Sequence, residues 1–293
     1  MAAAIVLGGC ANSAKLSKGG AEMAQVPITA TPSGKTYPGK FIWHDLLTPD
    51  PQSAGKFYEK LFGWQIEHQG HYAVVRHNDK LIAGILQAEP PEGRSRHGVW
   101  IPSASVADVD AAASRVRAEG GKLLKGPVDM DRRGRAVLVS DRQGADLVLL
   151  SAKGGDPADT EAAIGDWLWD EIWTDDLAST ELFYRSVLGY DQMPLGDNYH
   201  VFMHKNKWRA GIRLVSDHRE HMLWVPVVRV ADPEATAQRV NELGGVVWVA
   251  PNEYLNIRKH CTRQATPVAK SGIGVREQYF LMLTGLGLTL HPR

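Results

Sequence analysis

Read for the spacing of apolar and polar positions, the chain switches between strand-like and helical periods in a fixed order. Phe41 to Thr48 is an apolar run of strand length. Asp50 or Ser53 then offers a cap for a helix whose Phe57, Tyr58, Leu61 and Phe62 share one face, and Gly63 ends it. Strands are predicted at Trp64 to His68, Tyr72 to Arg76 and Leu81 to Gln87, with a turn at Asn78-Asp79. The order then repeats. Val99 to Val106 is a strand, and Asp108 starts a helix through Val109, Ala113, Val116 and Ala118 that stops at Gly120-Gly121. Strands follow at Leu123 to Val128, Ala136 to Ser140 and Asp146 to Leu150. The unit is strand-helix-strand-strand-strand, used twice.

The whole pattern is duplicated further on. Trp43-His44-Asp45-Leu46, Phe57-Tyr58 and Leu61-Phe62-Gly63 reappear as Trp169-Asp170-Glu171-Ile172, Phe183-Tyr184 and Val187-Leu188-Gly189. Tyr72, His77, Lys80 and Ala83-Gly84-Ile85 recur as Tyr199, His204, Lys207 and Ala210-Gly211-Ile212. Trp100-Ile101-Pro102 with Val106-Ala107-Asp108 recurs as Trp224-Val225-Pro226 with Val230-Ala231-Asp232. So many residue types in register divide the chain into two copies of one domain, at 41–154 and 165–293, joined by a linker at 155–164 that opens with Gly-Asp-Pro.

Ahead of the first copy, residues 11–40 are rich in Ala, Ser, Gly, Thr, Lys and Pro and read as a flexible tether. Residues 1–10 end in Leu7-Gly8-Gly9-Cys10, which resembles the lipobox of a bacterial lipoprotein signal peptide. The resemblance implies lipidation at Cys10 and a protein anchored on the periplasmic side of a bacterial membrane. No Lys or Arg precedes the apolar run, so the alternative is a plain disordered N-terminus on a cytoplasmic protein.

Composition narrows the partners. The 293 residues carry 33 Lys and Arg against 33 Asp and Glu, so no basic surplus is present to neutralise a phosphate backbone, and no nucleic-acid partner is expected. With two cysteines, Cys10 and Cys261, a four-thiolate zinc site is excluded. Gly-x-Ser-x-Gly, phosphate-loop, dinucleotide and His-Glu-x-x-His motifs are missing as well.

The element order resembles the glyoxalase/bleomycin-resistance/extradiol dioxygenase group, the vicinal oxygen chelate superfamily, in its tandem two-domain, glyoxalase-like form. The residues that carry the likeness are Thr-x-Asp followed by Phe-Tyr and Leu-Phe-Gly, Ala-Gly-Ile on the fourth strand, Val-x-Asp-Val-Asp after the fifth, and Asp141-x-x-Gly144 before the eighth. The resemblance implies an α+β fold of two tandem domains, each a pair of βαβββ modules forming a curved sheet around a cavity. It also implies that catalytic members hold a metal through His, Glu or Gln on the first, fourth, fifth and eighth strands. Carried onto this sequence, those positions are Trp43 and Trp169, Gln87 and Arg213, Ile101 and Val225, and Val148 and Thr289. Neither copy keeps a triad of nitrogen and oxygen ligands, so no cofactor is expected.

The expectation is therefore a metal-free binder of a small aromatic or apolar molecule, of the bleomycin-resistance type. Its guest would lie in a cavity lined by Trp43, Asp45, Trp100, Trp169, Glu171 and Trp224, since aromatics beside a carboxylate suit a flat or cationic guest. The competing reading is that these tryptophans only fill the interior. A metal-dependent lyase or dioxygenase with a rearranged site at Glu171 and His291 is a second alternative, and a surface lipoprotein acting through a protein partner is a third. Asp45 and Glu171 share the inward face with Trp43 and Trp169, and are the candidates for a general base. His44 and Asp170 fall on the opposite face, and His44 is read as a core or interface histidine. The two copies together would make an internal pseudo-dimer and a monomeric protein. Copy two carries a long insertion, 251–277, with Arg258, Lys259, His260, Cys261 and Arg263, which reads either as a lid or as a disordered segment.

Overall fold

The computed structural model describes residues 18–88, 98–215 and 222–247, together with the backbone of 279–282. In copy one, β1 (Phe41–Thr48), α2 (Pro51–Phe62), β2 (Gln65–Gln69), β3 (Tyr72–His77) and β4 (Lys80–Gln87) form the first module, preceded by α1 (Lys18–Ala24). β5 (Val99–Ser105), α3 (Val109–Ala118), β6 (Lys122–Met130), β7 (Gly134–Ser140) and β8 (Asp146–Ala152) form the second. They make one curved eight-stranded sheet, ordered β2-β3-β4-β1-β5-β8-β7-β6, with β1 and β5 antiparallel at its centre.

Copy two repeats the first module as β9 (Trp167–Thr174), α4 (Leu177–Leu188), β10 (Asp191–Pro194), β11 (Tyr199–His204) and β12 (Lys207–Leu214). β13 (Leu223–Val230), α5 (Pro233–Glu242) and β14 (Tyr279–Met282) follow, and the strand order is β10-β11-β12-β9-β13-β14. Cys10, the 251–277 insertion with His260 and Cys261, and the Thr289 and His291 positions lie outside the described residues. Among the described residues no helix is long and apolar enough to cross a membrane.

Local chemistry accounts for the element boundaries. Asp50, Asp108, Asp176 and Asp232 cap α2, α3, α4 and α5, each carboxylate accepting the backbone N–H three residues on. Such a cap stabilises a helix by about 1 kcal/mol. The αL glycines Gly63 and Gly189 close α2 and α4. Asn78-Asp79 and Lys205-Asn206 all have positive φ, the geometry of the tight turn that matches strand twist.

The two copies share their cores. One apolar cluster joins Val109, Ala113, Val116 and Leu147 of copy one to Phe183, Tyr184, Ile212 and Trp224 of copy two. Another joins Phe57, Tyr58, Trp64 and Trp100 to Val228, Val230 and Val240. Hydrogen bonds cross the same boundary, from Trp64 Nε1 to the Gly165 carbonyl and from Trp167 Nε1 to the Ile82 carbonyl. At the centre, His44 Nε2 lies 2.7 Å from Asp170 Oδ1, both buried and each occupying the other's position in the duplication. His44 is thus an interface residue on the helix side.

The tether expectation, 11–40, is corrected from Lys18 onward. Lys18–Ala24 is helical, and Ala24, Val26 and Ile28 are buried in a third cluster with Trp43, Tyr72, Val74 and Met130. Further along, the Tyr37 amide donates to Asp156 and Lys40 Nζ to the Pro157 carbonyl. The Ala24-x-Val26-x-Ile28 alternation is strand-like in period, but composition rich in small and polar residues masks it.

Candidate functional site

Cross-strand register decides which side chains face the concave side. Trp43 pairs with Ser103 and Asp45 with Ile101, so Ile101 and Ser103 share their face, whereas Trp100 pairs with Leu46 and turns to the helices. There it packs edge-to-face in the Tyr58, Trp64 and Trp167 group and donates to the Tyr58 hydroxyl at 2.9 Å. Trp224 pairs with Ile172 and likewise donates to Tyr184. Trp100 and Trp224 are therefore removed from the expected cavity lining. Period two forbids it: with Ile101 and Val225 inward, their neighbours must point away.

What the concave face of copy one does hold is a closed network. Asp45 Oδ1 accepts from Trp43 Nε1 at 3.0 Å and from the Tyr72 hydroxyl at 2.7 Å. Arg133, from the turn between β6 and β7, donates to Asp45 Oδ2 at 3.0 Å and to the Tyr72 oxygen at 2.8 Å. Its guanidinium lies 4.8 Å from the centroid of the Trp43 ring. All four side chains are buried. Burial pushes the Tyr72 phenol far above its ordinary value, so it stays a neutral donor. Burial alone would lower Arg133, yet Tyr72 and Asp45 hold it above its ordinary value and protonated.

Copy two builds the same floor from its counterparts. The Tyr199 hydroxyl donates to Glu171 Oε1 at 2.8 Å and accepts from Trp169 Nε1 at 3.1 Å. Here the cation is Arg213 on β12, bonded to both Glu171 oxygens at 3.1 and 3.3 Å. By the duplication register Arg213 stands where copy one has Leu86, and Trp208 where it has Leu81. A bulge in the β11–β12 pairing between Phe202 and Met203 brings Trp208 to the concave rim, 6.4 Å centroid to centroid from Trp169. Trp208 is 42% exposed.

The Ala-Gly-Ile motif has a steric reason. A methyl group at Gly84 would run into the Tyr72 hydroxyl and the Asp45 carboxylate, and one at Gly211 into Tyr199 and Trp169. Only a glycine lets the acid and the phenol meet across the fourth strand.

As candidates for a general base, Asp45 and Glu171 are both already accepting from an arginine and a tyrosine. Either would have to give up these bonds to take a proton. A divalent ion does not suit the donors either. The positions expected to ligate hold Trp43, Ile101 and Val148 in copy one, and the nearest carboxylate is filled by Arg133. Among the described residues no three His, Cys, Asp or Glu side chains group as a metal site. Gln87 instead meets His71 at the sheet margin. Glu171 of the Glu171–His291 pair sits on Arg213, and His291 is not described.

Sequence reasoning missed Arg133 and Trp208. Arg133 lies in a turn whose only signal is a charged residue among polar neighbours, and Trp208 needs the bulge to reach the rim. Tyr72 and Tyr199 were visible as matched members of the duplication, without their partners.

Comparison with known proteins gives the same group. Residues 40–149 match the Glyoxalase/Bleomycin resistance protein/Dioxygenase superfamily. The anthracycline biosynthesis protein DauV of Streptomyces sp. (strain C5) is 28% identical over 236 residues, covering 73% of this chain and 85% of that protein. The putative glyoxylase CFP32 of Mycobacterium tuberculosis is 28% identical over 225 residues, 71% and 84% of the two chains. Among solved structures, the Mn(II)-bound glyoxalase from Novosphingobium aromaticivorans superposes with a TM-score of 0.47 at 16% identity, over 72% of this chain and 73% of that one.

Proposed function

Since this chain belongs to the glyoxalase/bleomycin resistance protein/dioxygenase superfamily, a fold that serves many chemistries, we propose that it is a metal-independent small-molecule binder. Its guest is a flat aromatic taken up on the concave face of copy two. The observation that carries this reading is the Trp169–Trp208 pair, two indoles inclined at 58° over the Glu171–Tyr199–Arg213 floor, the outer one partly open to solvent. A large aromatic left exposed beside a second one offers a planar or cationic guest a stacking surface. The names of DauV and DnrV, both anthracycline biosynthesis proteins, favour a fused-ring aromatic of that kind. The filled carboxylates favour recognition over proton transfer.

Equilibrium dialysis against an anthracycline and against 2-naphthoate tests this, with Trp208→Ala as the control. Loss of a stacking indole should weaken binding by about 2 kcal/mol, roughly thirtyfold. Equal binding by wild type and variant would overturn the reading. So would one equivalent of tightly bound metal in elemental analysis of protein offered nickel, zinc, manganese and iron. The Leu7-Gly8-Gly9-Cys10 sequence supports a lipid anchor for this binder on the periplasmic side of the membrane. Detergent partitioning of the full chain against Cys10→Ala checks it.

A further inference from the structure

In copy one, residues 18–28 lie as a strap across the face that copy two leaves to Trp208, and what the strap supplies there describes what the pocket accepts. It places Ala24, Val26 and Ile28 on the apolar wall beside Trp43 and Val74, with Leu81 and Leu86 packed against the same cluster. It also gives one carbonyl, that of Val26, to Arg133 Nε at 3.3 Å. We infer that the strap is a displaceable occupant. Beneath it, Trp43, Asp45, Tyr72 and Arg133 form a second binding site for a planar aromatic molecule bearing a carbonyl or carboxylate oxygen. The inference rests on the reading of copy two, because it assigns the same guest chemistry to the matching floor.

Three features support displacement. First, the strap joins no sheet: Lys18–Ala24 is a short helix, no strand forms over 25–28, and the bonds that hold its backbone include the Arg132 amide on the Ala24 carbonyl at 2.9 Å and the Arg133 contact. The Glu22 carboxylate adds one bond, from the His71 amide. Second, its helix is seven residues long and contains Gly19 and Gly20, too short and too glycine-rich to hold without the surface below it. Third, the floor is complete without the strap. Asp45, Tyr72, Trp43 and Arg133 bond to one another, so they stay organised when it leaves, and only Arg133 Nε loses its acceptor. A guest oxygen would replace the Val26 carbonyl, and its ring would cover the wall vacated by Ala24, Val26 and Ile28. The guanidinium over the Trp43 ring already defines the plane of such a stack.

Two measurements on the full chain test this. In wild type, hydrogen exchange of the Val26 and Arg132 amides, which are bonded to Met23 and Ala24, should proceed through a local opening at least a hundredfold faster than that of the β1 and β7 amides. In dialysis against 2-naphthoate, the double variant Val26→Asp, Ile28→Asp should bind one equivalent more than wild type. That added equivalent should survive Trp208→Ala, which places it in copy one. Exchange of Val26 and Arg132 only at the rate of global unfolding would overturn the inference, as would a folded variant with no added equivalent. The exchange measurement uses the unaltered chain and decides even where the variant fails to fold. If wild type binds no 2-naphthoate, the copy-two reading fails alone, and the exchange rates and the variant's equivalent still judge the strap.

Discussion

The concave faces of the two copies begin from the same trio of tryptophan, acid and tyrosine and reach different ends. Trp43, Asp45 and Tyr72 correspond to Trp169, Glu171 and Tyr199, and each acid is held by a guanidinium. In copy one the guanidinium comes from a turn at the far edge of the sheet, and the wall it leaves apolar, Leu81 and Leu86, is roofed by the chain's own strap. In copy two it comes from the fourth strand itself, at the Leu86 position, and a tryptophan stands at the Leu81 position. A buried carboxylate fixes the demand for a cation but not its origin. The origin decides which surface is left over, and hence whether the face is covered by chain or presents an indole.

Removing the cation should break this parallel most strongly. Arg133→Leu takes the guanidinium from the buried Asp45, and Arg213→Leu takes from Glu171 the guanidinium bonded to both its oxygens. Each should cost about 3–5 kcal/mol, read as a lower urea midpoint at unchanged slope. Replacing acid and base together, as in Asp45→Leu with Arg133→Met, should recover most of the loss. If single and double variants were equally destabilised, the networks would not be paired charges.

The glycines sharpen the comparison at smaller scale. Gly84→Ala forces a methyl group into the sealed Tyr72–Asp45 contact and should cost about 1–3 kcal/mol. Gly211→Ala meets Tyr199 and the half-buried Trp169, which has room to shift, and should cost less. The ratio of the two, from thermal or chemical melts, measures how much more tightly copy one is packed.

The smallest effect concerns the helix side. Tyr58 and Tyr184 are counterparts that each accept an indole N–H, but Tyr184 also donates to Asp141 at 3.0 Å, across the boundary between copies. Burial raises the Asp141 carboxyl above its ordinary 3.8, against the lowering by its hydrogen bonds from Ala145, Gln143 and Tyr184. The folded state therefore binds this proton more tightly than the unfolded chain. Its contribution to stability declines as pH rises from near 3.8 through the raised folded value, and it is flat below both. Asp141→Asn should remove that decline from unfolding free energies measured between pH 4 and neutrality, on the order of these carboxylate values.

Most of the fold was legible in the sequence because its signals are local. Helix caps, αL glycines, the Asn78-Asp79 turn and the register of the duplication each depend on a few neighbouring residues. The site was legible only where it inherits that register. Trp43 with Asp45 and Trp169 with Glu171 follow from alternation along one strand. The same rule, applied to Ile101 and Val225, excludes Trp100 and Trp224, which aromatic content alone had drawn inward. Arg133 was invisible because a turn has no period, and the strap because three small apolar residues do not stand out against glycine, serine and lysine. Both act over long sequence separations, for which single-sequence patterns carry no signal.

The shared cores have one further consequence. Since each helix-side cluster is assembled from residues of both copies, with His44 against Asp170 at the pivot, a change there must suit two partners at once. The concave faces answer to no such pairing. A duplicated gene built this way keeps its halves inseparable while leaving each basin free to specialise, and the exchange of Leu86 for Arg213 and Leu81 for Trp208 is the imprint of that freedom.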